Sequence, residues 1–449
     1  MDAPGRRRLF LGAFGDPGHA FPMLALGERL AARGHDVTLQ SWERWREHAE
    51  RGGMRFSAAP EYHVFPTRRR PLKPYEAAAR AARDTAPVIA EGGFDAVVAD
   101  ILTLAPALAG EMAGVPVATL VPHVFPAGMP GQPPYSIGAR LPRTPVGRAL
   151  WRALEGPVRG GLRRGREELN GTRRRVGLAP VDDFHGGLSR RLCLVGTFPQ
   201  LEYPRAWPAW TRVTGPLLWE PPAEALELPP GDEPLVLVAP STSQDPEGRL
   251  VRAALEGLGD LPVRVLVTTN RPGVGADSVG LPVPGNTTVV DWLSYARTMP
   301  ACALVVSHGG HGTVARALAS GCALVVTPAG GDMNENAARA DWAGVGVRLP
   351  PRFCTGRGLR LAVQRALGGI TEIDLLLRAR QADIAQAPLF FHLIRPRLFA
   401  PQRARMRQQT LFHAGHENNR ELQSLRRMQG HQNSGVSCCF AAFGSAFQR

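Results

Sequence analysis

The chain has 449 residues, 44% of them hydrophobic, with 53 Lys and Arg against 39 Asp and Glu. At roughly 150 residues per domain, that length predicts two or three domains with cores of their own and excludes a miniprotein held by disulfides. The formal charge of +14 invites a nucleic-acid partner, but Lys73 is the lone lysine beside 52 arginines. Such a bias reads as GC-rich coding rather than selection for phosphate, so no nucleic acid is expected.

Arg6, Arg7 and Arg8 ahead of Leu9, Phe10 and Leu11 mimic a secretory signal, yet the apolar run breaks at Gly12. A first buried strand over 8–13 is the better reading. A glycine-punctuated loop, 12–18, leads to a helix predicted over 22–32 from the spacing of Met23, Leu24, Leu26, Leu30 and Ala31. Gly34 stops that helix, and 37–40 forms the next strand. Further on, 96–99 reads as a buried strand ending at Asp100, 104–113 as a helix and 117–121 as a strand. The surrounding apolar region, 94–126, is interrupted by Asp100, Glu111 and several prolines, so no membrane span is expected. Eleven arginines from Arg140 to Arg175 meet only Glu155, Glu167 and Glu168. They read as a solvated helical face, with peripheral contact to anionic lipid or an acidic acceptor as the alternative.

Six prolines between 216 and 234 mark a linker. The alternation then restarts with strands at 235–239, 263–268, 288–290, 303–307 and 323–327 and helices at 248–258 and 312–319. The predicted fold class is α/β, with two Rossmann-like doubly wound domains, 1–215 and 235–367, facing across a cleft at their strand ends. From about Gly368 the character changes: residues 368–449 hold seven of the 17 Phe and the adjacent Cys438 and Cys439. This tail reads as a shifted reading frame or a specialised extension. The six cysteines form no CxxC, which predicts a reducing, cytoplasmic setting.

The segment with most chemistry runs Val305-Val306-Ser307-His308-Gly309-Gly310-His311-Gly312-Thr313. An apolar strand opens into a glycine-rich loop at a helix start, where bare N–H groups and the helix dipole suit a diphosphate. A tight turn with an incidental pair of histidines is the plainer reading. Zinc is discounted, because no third ligand stands at the needed spacing.

Two motifs, in order and far apart, resemble those of the UDP-glycosyltransferase-like enzymes of GT-B fold that glycosylate small molecules, in particular the bacterial macrolide-type members. The first is Gly18-His19-Ala20-Phe21-Pro22 with Arg33-Gly34-His35 and Val37-Thr38. The second is Trp292, the 308–313 loop, Ala317-Leu318, Gly321, Pro328, Asp332 and Asn336-Ala337. The resemblance covers about residues 8–367. It implies inverting transfer of a sugar from a UDP- or dTDP-sugar to a hydroxyl of a hydrophobic small molecule. No cofactor is expected beyond that co-substrate, and no metal, since no two aspartates stand as DxD.

Residue by residue, the resemblance makes His19 the catalytic base, on the loop between first strand and first helix. A helix N-terminus there is expected to keep its imidazole neutral. Asp100 becomes its carboxylate partner. On their own, the two read as a capping histidine and a helix N-cap. Trp292 matches the tryptophan that stacks on the base, a core tryptophan being the alternative. His308 and the amides of Gly310, His311, Gly312 and Thr313 match the diphosphate site. Asp332 matches the aspartate on sugar hydroxyls, and Asn336 belongs to the same signature. Ser241 and Thr242 follow the 235–239 strand, where a hydroxyl reaches phosphate. The acceptor pocket is expected from 62–75 and 122–135.

Three features depart from the family pattern. Met333 replaces a glutamine, and Arg316 replaces a ribose-binding glutamate and reads equally as a phosphate partner or a solvated helix residue. The tail lacks the closing helix. A nicotinamide dehydrogenase is disfavoured, because Gly12, Gly15 and Gly18 read GxxGxxG. A nucleotide-sugar epimerase and a non-catalytic sugar-nucleotide binder stay open as rivals.

Overall fold

A computed structural model of the chain describes residues 5–369 apart from 61–73, 183–186, 242–244, 246, 272 and 276–279. The first lobe runs β1 (Arg8–Gly12), α1 (Pro17–Ala31), β2 (Asp36–Ser41), α2 (Arg46–Arg51), β3 (Arg55–Ala58), α3 (Pro74–Gly92), β4 (Ala96–Asp100), α4 (Leu104–Met112), β5 (Val117–Val121), α5 (Pro145–Ala153), α6 (Glu155–Arg175), β6 (Cys193–Val195) and β7 (Thr211–Val213). Its strands are parallel, in the order β3-β2-β1-β4-β5-β6-β7.

The second lobe repeats the plan with β8 (Leu235–Ala239), α7 (Arg249–Leu258), β9 (Arg264–Thr268), β10 (Thr287–Val290), α8 (Tyr295–Thr298), β11 (Leu304–Ser307), α9 (His311–Ala319), β12 (Ala323–Val326), α10 (Met333–Trp342), β13 (Gly346–Arg348) and α11 (Gly356–Gly368). Its parallel order is β10-β9-β8-β11-β12-β13. In both sheets the chain builds outward from its first strand and then returns to add the next strand on the other side. The carboxyl ends of β1 and β4, and of β8 and β11, are therefore switch points where an open parallel sheet leaves a crevice.

The strands predicted from apolar runs are those buried on both faces: every residue of β4, β5 and β8 is buried. β3, β6, β7 and β13 have three or four residues each and escape the apolar-run pattern. α1 begins at Pro17, not at the expected Pro22. Pro17 takes the first helical position, where its missing N–H costs nothing. The apolar spacing misses this turn because Pro17, Gly18 and His19 face the cleft rather than the core.

Val124, Phe198 and Leu201 of the first lobe pack into the core of the second. An ion network closes the same seam: Arg339 on α10 donates to Glu335 at 2.8 Å, to Glu202 at 3.0 Å and to the Leu201 carbonyl at 2.9 Å. Among the described residues no helix is long and apolar enough to cross a membrane. The expected tail lies outside the described residues from 370 onward, as do residues 62–73 of the expected acceptor segment.

Candidate active site

β1 and β4 lie side by side with Gly12 paired to Ala99, so Asp100 stands at the crevice floor just below the turn into α1. His19, the third residue of α1, places Nδ1 2.8 Å from Asp100 Oδ1. This corrects the expected loop position: the histidine sits on the first helical turn. Asp100 is fully buried, and its Oδ2 accepts the Leu102 N–H at 3.1 Å and the Thr103 hydroxyl at 3.4 Å. It caps the following turn and holds the imidazole at once. An ionised carboxylate only accepts, so His19 Nδ1 carries the proton and Nε2 is the lone pair. Nε2 has no protein partner among the described residues.

The expectation of a depressed His19 pKa is overturned. Burial lowers it, but the charge and hydrogen bond of Asp100, with the charges of Asp16 and Asp332, outweigh burial and hold it above the ordinary value. Asp332 belongs to the second lobe, so the two walls of the cleft sit within electrostatic reach of each other. Asp16, just before α1, is itself raised, mainly by burial.

On the opposite wall, β8 and β11 pair with Ala239 beside Ser307, and the loop after β11 opens into α9. Gly309 has φ of +86°, and a Cβ there would meet Val326 Cγ1 at 2.5 Å, so the turn admits only glycine. Cβ atoms on Gly310 or Gly312 would meet open space. No side chain caps α9, which leaves the first N–H groups, from Gly310 to Thr313, without intrahelical partners. Free N–H groups at a helix start are the kind of main chain that suits an anion.

The side chains around it brace the loop. His308 Nδ1 accepts the Ser241 N–H at 2.9 Å, and Nε2 lies 3.4 Å from Asp245, a residue that accepts both N–H groups opening α7. Burial lowers its pKa against the pull of Asp245. The neutral ring therefore fastens the loop to β8, although it also borders a pocket of about 220 Å³ with Asp245, Arg249, Thr327, Pro328 and Cys354. His311 Nδ1 is 3.3 Å from Asn336 Oδ1 and Nε2 is 3.3 Å from the Gly196 carbonyl of the first lobe. Burial holds its pKa down at about 4. Asn336 is buried, with Nδ2 donating to the Gly309 carbonyl at 2.9 Å. The rings of His308 and His311 and the amide of Asn336 thus brace this loop from inside.

Of the remaining expected residues, Trp292 is 48% exposed, which rules out the core alternative. Asp332 is half-buried at the start of α10, and Ser241 anchors His308 through its backbone. Thr242 lies outside the described residues. Arg316 is not a solvated helix residue: its Nε lies 3.4 Å from Glu220 of the linker, which also accepts the Ser294 hydroxyl and, at 3.1 Å, the Ala296 N–H.

Sequence reasoning missed His123. Its ring is 6.5 Å from that of His19 and stacks on Tyr135 at 5.7 Å, and its Nδ1 donates to the Val124 carbonyl at 2.8 Å. Burial lowers its pKa. A signal was present, since His123 follows the buried β5 as Asp100 ends the buried β4.

Residues 252–388 match the family described as Erythromycin biosynthesis protein CIII-like, C-terminal domain. The chain is 29% identical to 4'-demethylrebeccamycin synthase of Lentzea aerocolonigenes over 81% of its own length and 92% of that protein. It is also 29% identical to O-mycaminosyltylonolide 6-deoxyallosyltransferase of Streptomyces fradiae, covering 85% and 94% of the two chains. Over most of its length the chain is thus similar to glycosyltransferases. The glycosyltransferase of kitacinnamycin superposes with a TM-score of 0.65 at 19% identity, covering 87% of this chain and 100% of that one. Spinosyn rhamnosyltransferase SpnG complexed with thymidine diphosphate gives 0.60 at 17%, over 86% and 99%. Those likenesses fix the GT-B fold of this glycosyltransferase. Within it, the departures at Arg316 and Met333 both touch the wall built by β11 and α9: Arg316 ties α9 to the linker, and the Met333 carbonyl lies 3.3 Å from the point a Gly309 Cβ would occupy.

Proposed function

We propose that this glycosyltransferase transfers a sugar from a nucleoside-diphosphate sugar, dTDP- or UDP-linked, to a hydroxyl of a hydrophobic small molecule, with inversion at the anomeric carbon. The observation that carries the reading is the His19–Asp100 pair, with the unpartnered Nε2 of His19 turned to a cleft whose far wall holds Asp332 and the α9 cradle. The named activities of the two relatives and the thymidine diphosphate of the SpnG complex support the substrate classes.

In the proposed step, His19 Nε2 takes the proton of the acceptor hydroxyl as its oxygen attacks the anomeric carbon. The bond from that carbon to the diphosphate oxygen breaks on the opposite face, and the electron pair leaves with the diphosphate. Asp100 holds the tautomer that offers a lone pair and stabilises the imidazolium once formed. The main-chain N–H groups from Gly310 to Thr313 receive the departing charge. Trp292 offers a flat face to the base, and Asp332 accepts from sugar hydroxyls. His123 and Tyr135 line the acceptor side, in the 122–135 loop.

The test is His19→Ala. Turnover should fall on the order of 10²–10⁴-fold, the usual worth of a positioned base, while calorimetry shows unchanged affinity for dTDP or UDP. Equal loss of binding and turnover would make His19 a structural residue and remove the mechanism.

A further inference from the structure

We propose that α5 is a membrane-surface helix, which lays Val146, Leu150 and Leu154 into the boundary between headgroups and acyl chains of an anionic bilayer. None of the residues of α5 is buried. Val146 is 79% exposed, Leu150 61% and Leu154, the residue closing the helix, 45%. Spaced four apart, the three fall within about 80° of arc on one side of the helix. Arg148 and Arg152 fall on the other side, and the stretch from Pro145 to Ala153 contains no acidic residue.

A helix of a soluble protein turns its apolar stripe to the core; this one turns it to solvent. What fixes α5 is local: the Thr144 hydroxyl accepts the Gly147 N–H at 3.1 Å, and Pro145 takes the first helical position. An apolar side opposite an arginine side, at low overall hydrophobicity, is the pattern of helices that lie in the plane of a bilayer surface.

The charges choose the occupant. Arg140, Arg159 and Arg164 of this region pair with Asp341, Glu155 and Glu168, but Arg143, Arg148, Arg152 and Arg163 have no acidic partner among the described residues. A second copy seated on the stripe would leave these arginines without a counter-charge. Residues 370–449 of this chain are themselves basic, with eleven arginines against five Asp and Glu, and are repelled. Anionic lipid answers both the stripe and the charge. α5 follows the loop that carries His123 and Tyr135, so a seated helix would hold the acceptor side of the cleft near the bilayer, where an apolar acceptor concentrates. That consequence rests on the proposed transfer; the binding does not.

The test is sedimentation of the full chain with phosphatidylcholine vesicles and with vesicles containing equal phosphatidylglycerol. Binding should favour the anionic vesicles by about tenfold or more and weaken in high salt. The triple change Val146→Ser, Leu150→Ser, Leu154→Ser should lose it by a similar factor. Its thermal midpoint and affinity for dTDP or UDP should not change. No binding by the wild type overturns the proposal. So does equal binding by the triple variant, which would assign the effect to arginines elsewhere, or a dimer that the triple variant disperses. Vesicle binding by a chain with no nucleotide affinity would sink the transfer reading and leave this one standing.

Discussion

The two walls of the cleft use the same device to opposite ends. Each is a switch point between neighbouring parallel strands, with a glycine-rich turn running into a helix that carries a histidine in its first turn. On the first wall a buried carboxylate, Asp100, lifts the pKa of His19 and leaves Nε2 open, so in the proposed transfer the side chain is the reactive part. On the second wall burial lowers the pKa of His308 and His311 and their rings are tied to protein groups, so in the proposed transfer the main chain is the working part. A histidine in a motif is thus a base or a support according to what faces its second nitrogen.

The comparison breaks most directly at Asp100. Asp100→Asn removes the charge that lifts His19 and reverses the preferred tautomer, so kcat should fall on the order of 10²–10⁴-fold. The wild-type rate should drop as pH falls through a midpoint above the ordinary histidine range, because the protonated ring takes no proton. In Asp100→Asn the midpoint should move down. An unchanged pH profile would mean that His19 is not the titrating base.

His311 probes the other wall. Its folded pKa of about 4 lies below the unfolded value, so its contribution to stability is complete above pH 6.5 and is lost as pH falls toward 4. The stability advantage of wild type over His311→Asn, measured by urea unfolding, should shrink by roughly 3 kcal/mol between pH 7 and pH 4. An advantage constant with pH would mean that the ring is not buried between the lobes.

The smallest effect separates two neighbouring glycines. Gly309→Ala meets a positive φ and Val326, and should cost about 1–3 kcal/mol of stability. Gly312→Ala adds its methyl to open space, so stability should hold while dTDP or UDP affinity falls about tenfold, near 1.4 kcal/mol. Unchanged nucleotide affinity in Gly312→Ala would move the cradle elsewhere.

Local pattern settled a good deal of this molecule. Strands buried on both faces announce themselves as Val, Leu and Ala runs, which is why β4, β5 and β8 and the doubled alternation were legible. The 308–313 loop was legible as a strand end opening into a helix, whereas His19 and Asp100 stood out only through the family resemblance. The true start of α1 was not, since a turn facing a cleft carries no apolar mark.

What the sequence left undetermined depended on partners distant along the chain. The direction of the His19 pKa needed Asp100, far along the chain, within hydrogen-bond reach, with Asp16 and Asp332 adding to it, and the Arg316 pair needed Glu220 from the linker. The tie of the His311 ring to the first lobe needed Gly196. Coulomb and hydrogen-bond energies depend on distance in space, so residue type and spacing fixed which groups were present, and only the packing of one lobe against the other decided which of them stayed free to react.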